Sequence, residues 1–286
     1  MEGFKYIIKL LRPKQWIKNF FVFGAILFSN NFWDLEIIKR NVITFIAFCF
    51  ISSTVYILND IVDVERDKKH PKKCKRPIAS GKVSVNKAKT IGAIMALTSF
   101  YIAINLNIYI AIVIGLYLIN NLFYSFKFKN IIIVDVLSIS IGFILRVIAG
   151  GVATKVETSN WIILCTLFLS LFLGFGKRKN EIVILGKDAY DHRENLSKYT
   201  ERLLDQLINI VLTCTIVFYS IYCVLGSPFN NFVWTTIFVV FGILRYYYLM
   251  YSKGEGGSPT ELVLKDKQLI YCIALWGCAC ILILNI

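Results

Sequence analysis

Residues 41–67 read NVITFIAFCFISSTVYILNDIVDVERD. The first 18 carry no charge. As a helix rising 1.5 Å per residue they cross about 27 Å, close to the thickness of a hydrocarbon core. The run then ends in Asn59, Asp60, Asp63, Glu65, Arg66 and Asp67. A membrane-spanning helix that closes on carboxylates delivers them to a lipid–water boundary. On a continuing helix Asp60, Asp63 and Asp67 fall at i, i+3 and i+7 and form one stripe, with Tyr56 one turn deeper and Asn59 about 100° round. Such acids repel one another unless a cation sits among them. Magnesium suits them, because it takes oxygen ligands, keeps its waters and is shared with substrate phosphates. The blander reading is a solvated helix end facing a basic loop.

The rest of the chain agrees with a membrane reading. Of 286 residues, 57% are hydrophobic and only 17% charged, against roughly 25% charged in soluble domains. Soluble, disordered and disulfide-rich secreted classes are excluded. Apolar runs fall at 16–33, 41–58, 88–105, 107–124, 131–150, 160–176, 206–225, 229–249 and 268–286. They predict an all-α integral membrane protein with nine transmembrane helices; Ser29, Asn30 and Asn31 interrupt the first run. With the N-terminus inside, only Lys39, Arg40 and Lys155 lie outside and Arg146 lies within a span, leaving 28 of the 32 Lys and Arg on the cytoplasmic side. An odd number of spans puts the C-terminus outside. The net charge of +14 is thus a membrane-topology signal, and no nucleic acid partner is expected. The eight cysteines show no C-x-x-C spacing, which argues against zinc and against a disulfide framework. The basic N-terminus has no small-residue cleavage site after a short apolar core, so it reads as mature protein. A single transmembrane domain over 1–286 is expected, with cytoplasmic loops at about 59–87 and 177–205 carrying the chemistry.

Just past the acids stand Lys72, Lys73, Lys75, Arg76, Pro77, Ile78, Ala79, Ser80 and Gly81. Carboxylates followed by a basic loop make a cradle for a metal–diphosphate complex: the acids hold the metal, and Lys75 or Arg76 the oxygens it leaves free.

The sequence resembles a known family at this point. Asn59-Asp60-x-x-Asp63-x-x-x-Asp67 is similar to the N-D-x-x-D-x-x-x-D motif of the UbiA superfamily of membrane prenyltransferases. Arg12-Pro13-Lys14-Gln15-Trp16-Ile17-Lys18-Asn19, Arg76-Pro77-Ile78-Ala79-Ser80-Gly81, Tyr124-Ser125-Phe126-Lys127 and Val134-Asp135-Val136-Leu137 resemble one branch, the decaprenyl-phosphate phosphoribosyltransferases. So do Gly142-Phe143-Ile144-Leu145-Arg146, Gly176-Lys177-Arg178-Lys179-Asn180-Glu181 and Gly257-Ser258-Pro259-Thr260-Glu261-Leu262. The resemblance runs from Arg12 to Trp276 and implies a nine-helix bundle with a cytoplasmic-side cavity. It implies 5-phosphoribosyl 1-diphosphate as donor, a polyprenyl phosphate as acceptor and Mg²⁺ as cofactor. Asp60, Asp63 and Asp67, with Asn59, are the expected metal ligands.

Other residues join the expected site. Lys18 is a phosphate contact by resemblance, although Lys14, Trp16 and Lys18 also suit an interfacial anchor. Tyr124 and Lys127, at i and i+3, could present a hydroxyl and an ammonium to one phosphate; by resemblance they contact the donor diphosphate. Asp135 and Arg146 are intramembrane charges about 16 Å apart on one helix face, too far to pair. Asp135 is expected to hold ribose hydroxyls or orient a lysine; Arg146 binds substrate or, equally, snorkels or caps carbonyls. Lys177 and Arg178 could receive the phosphate of the ribose or of the lipid, with Glu181 a further metal ligand. The UbiA superfamily carries a second aspartate-rich motif hereabouts, and Asp188-x-x-Asp191-x-x-x-Asn195 matches it imperfectly. That departure disfavours the rival reading, a prenyl diphosphate donor with an aromatic or other acceptor. A lipid-phosphate transporter is a third reading, weakened because the acids crowd one helix end and not a midplane path. Ser258-Pro259-Thr260-Glu261 predicts a short helix start. Membrane lipid surrounds the chain, in which a homo-oligomer stays open beside a monomer.

Overall fold

The Asp34 side chain accepts from the backbone N–H of Glu36 and Ile37 and so caps the longest helix among the described residues. This helix belongs to a computed structural model that describes residues 2–27, 33–69, 73–156, 158–185, 195–227, 229–252, 257 and 259–283. All regular structure among the described residues is helical. An amphipathic helix, α1 (Glu2–Leu11), is followed by a 3₁₀ helix at Pro13–Phe23 and a short α2 (Gly24–Leu27). Then come α3 (Leu35–Val62), α4 (Val64–Lys69), α5 (Val85–Leu106), α6 (Ile108–Phe126), α7 (Val134–Thr154) and α8 (Asn160–Leu185). The chain ends with α9 (Glu201–Ile221), α10 (Thr236–Ser252), α11 (Pro259–Lys265) and α12 (Lys267–Ile283).

Seven helical segments among the described residues are long and apolar enough to cross a membrane, and an eighth if α11 and α12, bent by 87°, count as one span. Eight of the nine expected runs find these helices. The first run does not. Its residues 16–27 form the 3₁₀ helix and α2, while 28–32, with the interrupting Ser29, Asn30 and Asn31, lie outside the described residues. The described structure therefore supports seven or eight spans, one fewer at least than the nine expected. Pro13 stands at the first position of the 3₁₀ helix, where its missing N–H costs no hydrogen bond.

Two packed halves share α7. In one, Phe48, Ile51 and Val55 of α3 meet Ile110 and Ile114 of α6 and Leu145 and Ala149 of α7. In the other, Leu171, Phe172 and Phe175 of α8 meet Leu204 and Ile208 of α9 and Ile243 and Leu249 of α10. Small residues let α7 sit this centrally. A Cβ on Gly150 would lie 1.8 Å from the Val22 carbonyl oxygen, so only glycine admits the 3₁₀ helix there. The outward faces of α5 and α6 expose Ile94, Leu97, Ile104, Ile112, Ile119 and Phe123, an apolar surface suited to lipid tails.

Candidate functional site

The stripe of acids is nearly as expected, with one correction. The helix does not continue unbroken: α3 stops at Val62, Asp63 is its C-cap, and α4 restarts at Val64. Helical hydrogen bonds nevertheless bridge the break, Asp63 N–H to the Asn59 carbonyl and Asp67 N–H to the Asp63 carbonyl. Asp60 and Asp67 end up buried, while Asp63 is half-buried.

Each acid has met a cation. Arg76 Nη1 donates to Asp60 Oδ1 at 2.9 Å and to Asp67 Oδ2 at 2.5 Å. Arg12 Nη2 reaches the same Asp60 oxygen at 2.5 Å and stacks over the Tyr56 ring. Asp63 turns away to Lys129 Nζ at 2.7 Å. Ser125 donates to Asn59. Of the loop residues expected to hold phosphate, Arg76 is at the acids, while Lys75 is exposed, its carbonyl taking a bond from Lys9. Lys72 lies outside the described residues.

The end of α6 departs from expectation. Lys127 is the C-cap of α6 and exposed, and the 3₁₀ turn Phe128–Asn130 that follows swings the buried Lys129 inward. The side chain meeting the acids from this element is Lys129, not Lys127. Tyr124 faces inward and accepts from Arg178 Nη2 at 3.3 Å.

A second ionic centre joins α7 to α8. Arg178 Nε bonds Asp135 Oδ2 at 2.6 Å, with both side chains buried, and its Nη1 bonds Glu181 at 2.6 Å. Asp135 therefore orients an arginine, not a lysine. The Tyr199 hydroxyl donates to Asp135 Oδ1 at 2.9 Å and accepts the Ile133 N–H at 2.7 Å. Burial, and then the adjacent Asp135 carboxylate, push the Tyr199 phenol above its ordinary pKa, keeping it a donor. Ile133 stands at φ 67°, a region costly for a β-branched residue, and its held N–H helps fix that turn. Glu181 is spent on Arg178 and, at 3.9 Å, Lys177, so the structure does not gather it with the α3 acids.

Arg146 is buried deeper in the bundle. Its guanidinium donates to Asn19 Oδ1 at 2.8 Å, the Gly142 carbonyl at 2.6 Å and the Tyr117 hydroxyl at 3.0 Å. It does not pair with Asp135, as their spacing requires. Lys18, beside Asn19, is half-buried and lies in the electrostatic field of Arg146, Arg12 and Tyr124. Asp188 and Asp191 lie outside the described residues.

No group of three or more His, Cys, Asp or Glu is assembled for a metal among the described residues. Two carboxylates do fit one. Asp60 and Asp67 converge on a single Arg76 nitrogen, and Asp60 Oδ2 is buried with no hydrogen-bond partner. One or two carboxylates completed by phosphate oxygens and water is the ordinary magnesium arrangement.

The UbiA prenyltransferase family profile matches residues 19–265. This chain belongs to the UbiA prenyltransferase family. It is accordingly a transferase and a multi-pass membrane protein. The decaprenyl-phosphate phosphoribosyltransferase of Corynebacterium glutamicum is 35% identical over 281 residues, covering 94% of this chain and 84% of the relative. The enzyme of the same name from Mycolicibacterium smegmatis is 33% identical, covering 94% and 89%. A UbiA homolog from Archaeoglobus fulgidus bound to GPP and Mg²⁺ superposes with a TM-score of 0.75 at 20% identity, over 99% of this chain and 100% of that one. The likeness extends the UbiA fold across the whole bundle.

Side-chain spacing does not point to Arg12, Lys129 or Tyr199. Arg12 lies inside the Arg12–Asn19 stretch that resembles the family, and Lys129 lies two residues past Lys127. Nothing in the local sequence singles out Tyr199.

Proposed function

We propose that this UbiA-family chain moves 5-phosphoribose from 5-phosphoribosyl 1-diphosphate to a polyprenyl phosphate, with Mg²⁺, releasing diphosphate. The observation that carries it is the convergence of Asp60, Asp67, Arg76 and Arg12 at the end of α3, which can hold a metal–diphosphate. The choice of donor is supported by two phosphoribosyltransferases that share about a third of the sequence across nearly its whole length.

Asp60 and Asp67, with Asp63 and Asn59 at hand, would hold the magnesium, which when bound neutralises the leaving diphosphate. Arg76 and Arg12, released from the carboxylates they now grip, take diphosphate oxygens and stabilise negative charge as the bond from ribose C1 to diphosphate breaks. Tyr124 of α6 and Lys129 of the 3₁₀ turn after it approach the same region, and Lys127 can reach a phosphate only from the exposed rim. Asp135, oriented by Arg178 and Tyr199, faces the ribose hydroxyls. A new bond joins C1 to an oxygen of the lipid phosphate. That oxygen is already anionic, so no strong general base is required. The lipid enters between helices, its tail in the bilayer.

The acids, Tyr124 and Asp135 stand at helix ends and Arg178 within two turns of one, and basic segments join these ends, which supports a cytoplasmic face for the site, a cytoplasmic N-terminus and an outer C-terminus. The 3₁₀ helix rises about 2.0 Å per residue, so together with α2 it has the length for most of a ninth span. One transmembrane unit then covers 1–286.

The test is donor competition with purified protein. 5-Phosphoribosyl 1-diphosphate with Mg²⁺ should raise the melting temperature, and labelled ribose should appear on polyprenyl phosphate. Protection by geranyl diphosphate alone would move the reading to prenyl transfer.

A further inference from the structure

Arg12 and Arg76 grip the same Asp60 oxygen, yet their backbones are held in different ways. Arg76 is framed by its own turn: its N–H donates to the Lys73 carbonyl and its carbonyl accepts from the Ser80 N–H, both at 2.9 Å. Arg12 stands between α1 and the 3₁₀ helix at φ 54° and ψ 54°, the left-handed region that favours glycine. The residue before a proline also prefers extended backbone. A helix that ends on a left-handed residue is commonly closed by the N–H of the residue after it, bonded back to a carbonyl of the last turn. Here that residue is Pro13, which has no N–H.

Helix α3 supplies a hold from outside. The Ser53 hydroxyl donates to the carbonyl of Leu11, the last residue of α1, at 2.9 Å and takes the Trp16 indole N–H at 3.0 Å. Ser53 is wholly buried. Its proton has a rival acceptor in the Cys49 carbonyl of its own helix at 2.8 Å, the usual partner of a helical serine. The bond received from Trp16 polarises the hydroxyl as a donor. Residues on either side of Arg12 thus meet on one oxygen. Ser53, Tyr56 and Asp60 fall at i, i+3 and i+7, on one face of α3. That face holds Arg12 at three points: its backbone at Ser53, its guanidinium plane 5.1 Å from the Tyr56 ring centre, and one nitrogen at Asp60. Only the last is given up when the arginine turns to a diphosphate, so the first decides where its donors then lie.

We propose that Ser53 and Trp16 are positioning residues for Arg12, a clasp that keeps its guanidinium in reach of the diphosphate once it leaves Asp60. This rests on the proposed function, in which Arg12 takes diphosphate oxygens. It gives Trp16 a task besides anchoring at the interface.

Calorimetry on the purified full chain, with inorganic diphosphate and Mg²⁺ as the probe, tests this through a double-mutant cycle. Ser53→Ala removes the hydroxyl; Trp16→Phe removes the indole N–H and keeps a ring. Each should weaken Mg²⁺–diphosphate binding by about threefold or more, the worth of one hydrogen bond. In an Arg12→Gln background neither should weaken it further. Unchanged affinity in both single variants overturns the clasp. So does a loss of the same size in the Arg12→Gln background, because a merely structural role acts with or without the arginine. Melting temperatures identify a variant that fails to fold, and the other then completes the cycle. Wild type that binds no Mg²⁺–diphosphate overturns both the clasp and the diphosphate site. Label transfer from 5-phosphoribosyl 1-diphosphate by wild type reports separately. Transfer without coupling to Arg12 sinks the clasp alone, whereas coupling without transfer sinks the proposed reaction alone.

Discussion

One nitrogen of Arg76 bridges Asp60 and Asp67, so it stands where a metal between those carboxylates would compete. Arg76→Gln should therefore tighten binding of Mn²⁺ alone and weaken binding of the metal–diphosphate pair, because the diphosphate then has no arginine to receive it. Manganese resonance spectra with and without diphosphate check this; equal weakening of both would show Arg76 to be a passive support. The Asp135–Arg178 pair is a different case, buried on both sides. Breaking such a pair from one side costs about 3–5 kcal/mol. Asp135→Asn and Arg178→Gln should each lower the melting temperature, and the double variant should lose less than the sum of the two. The acids were legible in the sequence, since their spacing is a local helical property. Their partners were not: Arg12 meets Asp60 across 48 residues, Lys129 meets Asp63 across 66, and Tyr199 meets Asp135 across 64. Side-chain spacing within one helix carries no information about such contacts.

At the scale of elements, apolar length identified the helices well because hydrocarbon thickness fixes it. At the first run apolar length does not reveal the conformation, because residues 13–23 take a 3₁₀ path that passes close over α7. The Gly150 contact with Val22 makes this path testable. Gly150→Ala should destabilise the protein by about 1–3 kcal/mol as the 3₁₀ helix is pushed away. Gly277→Ala, where a Cβ meets nothing within 4 Å, should be neutral or stabilising by about 0.5–1 kcal/mol. Thermal denaturation of the two variants in one detergent makes the comparison. The exchange of Lys127 for Lys129 has a related cause: α6 ends at Phe126, and the following 3₁₀ turn reverses which lysine faces in, a change that helical periodicity extended past the helix end cannot anticipate.

For the molecule as a whole, ion-paired helix ends gather at one end of the bundle, and the cytoplasmic placement proposed for that end from its lysine-rich segments is testable. With Cys74 and Cys278 replaced by Ser, Lys82→Cys should react with a membrane-impermeant maleimide only after cells are opened, and Lys155→Cys should react in intact cells. Both positions are exposed. In the proposed mechanism a metal would be held by the α3 carboxylates while two arginines change partners. The most direct measurement is transfer of radiolabel from 5-phosphoribosyl 1-diphosphate to polyprenyl phosphate by purified protein with Mg²⁺, wild type against Asp60→Ala and Asp63→Ala. Label should reach the lipid with wild type, stop on addition of EDTA, and be abolished in both variants. Full transfer by either variant, or transfer undiminished by EDTA, would contradict the account.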